Sequence, residues 1–522
     1  MRTRSRQSLA GVSRRNLFRT GSLMAASLVG TETAQGANAK IPGPEVYTRI
    51  GVRPFINCTA TYTINGGSQM LPEVISTIAQ ASYHHVNLDE LMEKVGDRLA
   101  ELLQVGWGIV TAGAAAALTH ATAGCLAGTD PEKIQRLPNL EGLKSEVIMP
   151  RESRNVYDHA VRTLGVRIME VNSPAELRAA ISPHTAMIVV LGSYFGRARF
   201  DLKDIAPIAR EENIPILVDA AADYLIVPNP YIALGADLVA HSGGKIIRGP
   251  QNAGLLIGRR DLVRAAWANS SPHHAFGRAL KVSKEEVMGM LRAVEIWLTE
   301  RDIQADFREW ESWYADISEV ITRMPGVQAE VRGPIRGGPF PVLNVSWDPE
   351  KIGLTAGQVG RMLLEGEPRI MTHAEGEGHS FLIRPAAMKP GEYKIVARRL
   401  YEVFSSAPVR KEVTQHLPPS VDISGGWDVD IEYEVGFARH KLFLTAHGNH
   451  VTGFHGGWAY QGDLTGEIDG HRVKLRSSLP ADGNQLSYVF TGLASGDGIS
   501  GDVELGEYGR AHWRARRHAA SG

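Results

Sequence analysis

Between residues 44 and 405, apolar positions follow two periods that alternate along the chain. Helical spacing governs residues 72–103, where Ile75, Ile78, Leu88, Leu91, Val95, Leu99 and Leu102 recur with one interruption. Short, nearly continuous apolar runs follow at 108–110, 146–149, 167–171, 186–191 and 214–219, with helical patterns at 174–181 and 202–212 among them. Strands apolar on both faces and joined by helices predict a mostly parallel sheet buried on both sides, an α/β fold. After Ser283 the spacing is helical over 284–313, interrupted near Arg301. A smaller α/β segment follows, with strand 340–347, helix 355–365, strand 380–384 and helix 392–404.

Residues 406–422, with Pro408, Pro418 and Pro419, read as a linker. Beyond it the period changes to two, over 427–433, 440–446, 451–455, 462–468, 472–477, 486–490, 499–505 and 511–516. Turn signals such as Asp469-Gly470-His471 and Asp482-Gly483-Asn484 separate these runs. Residues 423–522 are therefore expected to be an antiparallel β-domain, a barrel or a sandwich. His440, His447, His450, His455 and His471 are scattered over its turns and strands, and read as solvated surface rather than a metal site.

Composition narrows the function classes. A chain of 522 residues suggests two or three domains, and a formal net charge of −1 without a basic stripe argues against nucleic-acid binding. The two cysteines, Cys58 and Cys125, lie in apolar or small-residue surroundings with no metal-ligand spacing. They are expected to be buried free thiols, with a single disulfide as the alternative. At the N-terminus, Ser13-Arg14-Arg15-Asn16-Leu17-Phe18 precedes an apolar run over 23–29 and then Ala37-Asn38-Ala39. Residues 1–39 resemble a twin-arginine (Tat) export signal, which implies a periplasmic or otherwise exported protein. A basic tail on a cytoplasmic protein is the alternative. No apolar run is long enough to span a bilayer.

The candidate chemistry gathers where strands end. Ligands in parallel sheets bind at the carboxyl ends of strands. There lie Gly113, Ala114 and Ala115 opening an alanine-rich helix, Asp219 closing Ile216-Leu217-Val218, and Lys245 in Ser242-Gly243-Gly244-Lys245. The helix start offers free N–H groups to an anion, although close helix packing explains the alanines as well. A lysine on a tight glycine turn can be shielded from water, which lowers its pKa and frees a neutral amine to form a Schiff base. An exposed loop lysine is the plainer alternative. Ser242 could reach a phosphate on the same ligand. Asp219 could pair with a protonated ring nitrogen, or merely cap a helix. Arg384, at a strand end, could clamp a carboxylate or serve a surface ion pair.

Ser242-Gly243-Gly244-Lys245 followed by Gly249-Pro250-Gln251, with Asp219 one crossover earlier, resembles the selenocysteine synthase-like group of fold-type I pyridoxal phosphate enzymes. Within that group the resemblance is closest to the D-glucosaminate-6-phosphate ammonia-lyase branch. It extends to Phe55-Ile56-Asn57-Cys58-Thr59, Gly66-Gly67-Ser68, Thr111-Ala112-Gly113-Ala114-Ala115 and Asn155-Val156-Tyr157-Asp158-His159. It implies a catalytic region over 40–405, with a large domain at about 95–282 and a small domain from 44–94 and 283–405. It further implies that Lys245 holds pyridoxal 5'-phosphate in a Schiff base and moves the substrate's α-proton. Asp219 would keep the ring nitrogen protonated, and Gly113, Ala114, Ala115 and Ser242 would bind the phosphate. His159 would contact the ring, and Arg384 would take the substrate carboxylate. Residues 57–68 would reach a neighbouring subunit's site in a homodimer or larger homo-oligomer. The export signal and the β-domain depart from the pattern and leave the substrate open. The expected activity is elimination of ammonia from an amino acid or amino sugar acid, with aminotransferase or racemase as alternatives. An exported, non-catalytic scaffold is the reading from another class.

Overall fold

The structure, a computed structural model, describes residues 43–192, 199–333, 340–407 and 416–518. The export-signal residues 1–39 and linker residues 408–415 lie outside these. Residues up to Pro54 form one unit, whose described part holds the short helix Glu45–Thr48. Residues from Phe55 onward form the other.

The second unit is built around a seven-stranded sheet. Its strands run in the order Trp107–Thr111, Gly254–Gly258, Leu238–Ser242, Ile216–Asp219, Thr185–Leu191, Glu146–Pro150 and Arg167–Val171. Gly254–Gly258 is antiparallel to both neighbours and the other pairings are parallel. Six of the seven strands therefore share one direction. The ends at Thr111, Asp219 and Ser242 meet on one edge, because Thr111 and Ser242 both pair with Gly254 while Asp219 pairs with Ala240. The helix Gly113–Ala127 is buried on nearly every face, which is why it is made of small residues. A Cβ on Gly124 would lie 2.8 Å from the Ala266 backbone nitrogen.

The hydrophobic cores divide the catalytic region differently from the boundaries at 95 and 282 expected from sequence. Val74, Met92, Val95 and Leu99 pack into the large sheet's core, as do Val287, Met290 and Val294. The helices Pro72–Ser82 and Leu88–Leu103 therefore belong with the large domain, and Lys284–Thr299 joins them there. Helical periodicity shows which face is apolar but not which sheet it covers. The smaller core gathers Ile56, Cys58, Trp313, Tyr314 and Phe404 around a three-stranded antiparallel sheet. Cys58 sits in this core, whereas Cys125 packs against the large one, and both thiols are free. Burial raises both pKa values, that of Cys125 to about 12.

The C-terminal domain is a closed eight-stranded antiparallel barrel, a strict meander in which Gly425–Glu432 also pairs with Arg510–Arg517. Glycines inside strands permit its tight curvature: a Cβ on Gly453 or Gly501 would lie 2.0 Å from a carbonyl oxygen of the adjacent strand. Here the sequence reading of the histidines needs correction. His440 and His455 are buried, sharing a 2.8 Å hydrogen bond, and His455 also meets Ser477 Oγ at 2.6 Å. The reason is phase. His440 alternates with Leu442 and Leu444 and so points inward with them, while His447, His450 and His471 are exposed. Among the described residues no acidic, cysteine or histidine cluster fits a metal, and no helix is long and apolar enough to cross a membrane.

Desolvation, followed by the charge on His440, pushes His455 down from 6.5 to about 3. Between those values the unfolded chain binds a proton that the folded barrel refuses. Stability should therefore fall as pH drops through that window, by about 1.4 kcal/mol per unit from His455 alone. Hydrogen exchange of the His450–Gly456 strand, corrected for intrinsic rates, should quicken between pH 6 and 4. Unchanged protection would contradict the burial of a neutral pair.

Candidate active site

Lys245 stands just beyond the end of the Leu238–Ser242 strand, in a turn that leaves no space for side chains. A Cβ on Gly243 would lie 2.6 Å from Met290 Sδ, and one on Gly244 would lie 2.7 Å from Gln251 Cα. These glycines are needed for close approach of the chain to itself. Neither glycine has a positive φ; in this turn that conformation falls on Arg248, at 58°. The turn is closed by Gly243 N–H to the Ala253 carbonyl at 2.8 Å and Gly249 N–H to the Gly243 carbonyl at 2.9 Å.

Over this turn lies the chain's own N-terminal segment. Lys245 Nζ donates to the Thr61 carbonyl at 3.1 Å, Ser68 N–H to the Gly244 carbonyl at 3.1 Å, and Gln251 Nε2 to the Thr63 carbonyl at 3.3 Å. Residues 57–68, expected at a neighbour's site, thus cover the lysine of the same chain. Ala60 holds a φ of 73°, a left-handed conformation that is costly for a residue with a Cβ. A pocket of ≈ 30 Å³ remains beside the amine, lined by Thr61, Tyr62, Ala222, Lys245 and Phe340 among others.

Asp219 is buried at the end of the adjacent strand, one oxygen accepting the Ala221 N–H at 3.1 Å. Desolvation, opposed by that hydrogen bond, raises its pKa to about 6; nearby Asp223 adds to the rise and Lys245 counters it. Lys245 shows the opposite response: burial lowers its pKa and Asp219 partly restores it. Each group's charge thus partly offsets the desolvation of the other.

The small domain supplies a second cation. Arg384 follows the strand Ser380–Ile383, is buried, and has Nε without a hydrogen-bond partner. Its backbone N–H donates to the Cys58 carbonyl at 2.9 Å, which ties it to the segment leading to Thr61. Its charge lowers the pKa of His373, a change that desolvation dominates. His373 packs edge-on against Tyr62, ring centroids 4.7 Å apart. Its Nε2 is likewise buried and unpartnered. Sequence reasoning missed Thr61, Tyr62 and His373. They come together because Ile56–Asn57 pairs in parallel with Ile370–Met371, a two-residue register with no periodic signal.

The remaining candidates are placed as follows. Gly113, at φ 78°, and Ala114 are partly exposed at the start of their helix, Ala115 is exposed, and Ser242 is partly exposed two strands away. His159 is exposed, and its charge bears on Asp482 of the barrel. In that turn Tyr157 is more than half exposed, and partial desolvation, then the charges of Asp219 and Tyr62, raises its phenol pKa.

Comparisons with known proteins place relatives over the catalytic region. The Aminotransferase class-V family matches residues 68–280. D-glucosaminate-6-phosphate ammonia lyase of Salmonella typhimurium (strain 14028s / SGSC 2262) is 27% identical over 377 residues, covering 70% of this chain and 99% of its own. A solved structure of D-glucosaminate-6-phosphate ammonia-lyase superposes with a TM-score of 0.62 at 26% identity, covering 70% of this chain and all of that one (100%). The catalytic region is that of a fold-type I pyridoxal 5'-phosphate enzyme. The same scaffold serves other reactions: 5'-C-glycyluridine monooxygenase-decarboxylase of a Streptomyces species is 28% identical over 373 residues, covering 69% of this chain and 92% of its own. L-seryl-tRNA(Sec) selenium transferase of Moorella thermoacetica is 25% identical over 411 residues, covering 69% of this chain and 83% of its own. The residues fit the cofactor's chemistry. A buried carboxylate suits a cationic ring nitrogen, and a shielded amine suits a carbonyl.

Removing the carboxylate should expose the coupling. In cofactor-free Asp219→Ala protein, Lys245 loses the charge that raises its pKa and should be neutral at lower pH. Reductive methylation of Lys245, followed by peptide mass against pH, should shift to lower pH than in the parent. An unchanged profile would show that the two groups are not coupled.

Proposed function

We propose that the protein is a pyridoxal phosphate-dependent lyase that removes ammonia from an amino acid or amino sugar acid. The observation that carries this reading is the shielded Lys245 and buried Asp219 at adjacent strand ends, with Arg384, whose buried Nε is free, tied to the segment that covers the amine. Bound pyridoxal phosphate supplies an electron-withdrawing ring that stabilises negative charge at a substrate's α-carbon. Lys245 would hold it, and its Nζ would take the α-proton. Its depressed pKa leaves a larger neutral fraction for that task. Asp219 keeps the ring nitrogen protonated. The N–H groups at Gly113, Ala114 and Ala115, with the Ser242 hydroxyl, hold the phosphate. Arg384 receives the substrate carboxylate through the Nε that has no partner in the protein.

The Thr61 carbonyl now occupies the amine of Lys245, so loading requires that this hydrogen bond be given up. The strained Ala60 backbone just before it marks where the covering segment can shift. We further propose a homodimer or larger homo-oligomer, and export in folded form by the twin-arginine signal read in residues 1–39.

Two measurements test the chemistry. Ammonia and keto acid should be released in equal amounts without an added acceptor keto acid; nitrogen retained in an amino acid product would favour the aminotransferase reading. Asp219→Asn should keep the cofactor but lower turnover by about a hundredfold or more, because ring protonation is lost. Near-parental turnover would refute the role given to Asp219.

A further inference from the structure

The helical spacing that begins at 284 is interrupted near Arg301, and the break has a structural purpose. Lys284–Thr299 packs into the large core and Ile303–Ile321 into the small one, so the chain passes between cores at residues 300–302. Both helix ends are closed there. Arg301 N–H donates to the Ile296 carbonyl at 3.0 Å, and the Asp302 carboxylate accepts Gln304 N–H at 2.9 Å and Ala305 N–H at 3.1 Å.

The Arg301 side chain turns inward and is 12% exposed. Nε and Nη2 both meet one oxygen of Asp306, at 2.8 and 2.7 Å. The guanidinium also lies over the Trp297 ring, 5.4 Å from its centroid. Nη1 reaches further, donating to the Ile246 carbonyl at 2.6 Å. Ile246 directly follows Lys245 and lines the pocket beside the amine. Its side chain belongs to the small core, whereas that of Ile247 belongs to the large one. The boundary between the cores thus crosses the backbone just after the lysine, and Arg301 grips the carbonyl on that boundary.

Trp297 extends the brace. It packs against both cores, stacks on Tyr224 with centroids 5.7 Å apart, and donates Nε1 to the Leu225 carbonyl at 2.7 Å. Leu225 lies in the loop that leaves Asp219, and Ala222 of that loop lines the same pocket. One assembly at the break therefore holds both the turn that carries the amine and the loop that follows the carboxylate. Asp306 already balances the charge of Arg301, so the bond to Ile246 is made in addition to that pair.

We propose that Arg301 is a positioning residue for Lys245: by holding the Ile246 carbonyl it fixes the turn, so that the amine stays shielded and directed into the pocket. This deepens the proposed function and rests on Lys245 being the reacting amine.

The test uses two variants of the full-length, cofactor-free protein. Arg301→Met removes the donor. Asp306→Ala keeps the arginine but releases it, at a helical position where alanine is favourable. Reductive methylation of Lys245 against pH, read by peptide mass, reports its shielding. In Asp306→Ala two effects oppose each other. Loss of a carboxylate charge alone would move the Lys245 profile to lower pH, whereas a loosened turn that admits water would move it to higher pH. The profile should rise in both variants by about one unit, a tenfold smaller neutral fraction. On adding pyridoxal phosphate at neutral pH, the visible band should form about tenfold more slowly than in the parent. If Arg301→Met does not fold, Asp306→Ala carries the test. An Asp306→Ala profile that stays in place or moves to lower pH would make Arg301 a structural staple and overturn the positioning role, with the lyase reading intact. If the parent protein forms no visible band, the lyase reading falls and this role with it.

Discussion

The site depends on keeping an amine and a carboxylate out of water beside each other. Each charge alone would be costly there; together they lower one another's cost, leaving Asp219 near pKa 6 and Lys245 below its ordinary value. That arrangement sets demands on the rest of the chain. Parallel strands must end together so that Asp219 and Ser242 leave the sheet on one edge. The turn after Ser242 must fold onto itself so closely that residues 243 and 244 can only be glycine. The 57–68 segment must then cross from the small domain and cover the amine.

Much of this could be read along the chain because it is local. The apolar runs that end at Thr111 and Asp219 and the turn at Ser242-Gly243-Gly244-Lys245 are contiguous in sequence, and parallel-sheet topology places their ends together. What could not be read depends on contacts between distant positions. Thr61 meets Lys245 across 184 residues, and His373 joins Tyr62 through a two-residue strand pairing. Which core each helix joins could not be read for the same reason, since an amphipathic helix can cover either of two cores. His440 and His455 show a different limit. Strand phase points His440 inward with Leu442 and Leu444, and His455 with Val451, but residue type suggested solvent. In a meander, phase is the better guide.

The barrel changes how the catalytic region is understood. Its chemistry-free sequence suggested an appendage, yet the turn at Asp482 and Gly483 grips the segment carrying Tyr157, and Arg476 reaches the loop of His373. The ammonia-lyase relative and the ammonia-lyase structure each cover about 70% of the chain.

The central claim is that Lys245 is the residue that carries the cofactor. Its most direct test is borohydride reduction of the protein incubated with pyridoxal phosphate, followed by peptide mapping. The account predicts a visible absorbance band that reduction removes, with the pyridoxyl mass on the peptide containing Lys245 and on no other. A label on another lysine, or no band after incubation, would contradict it.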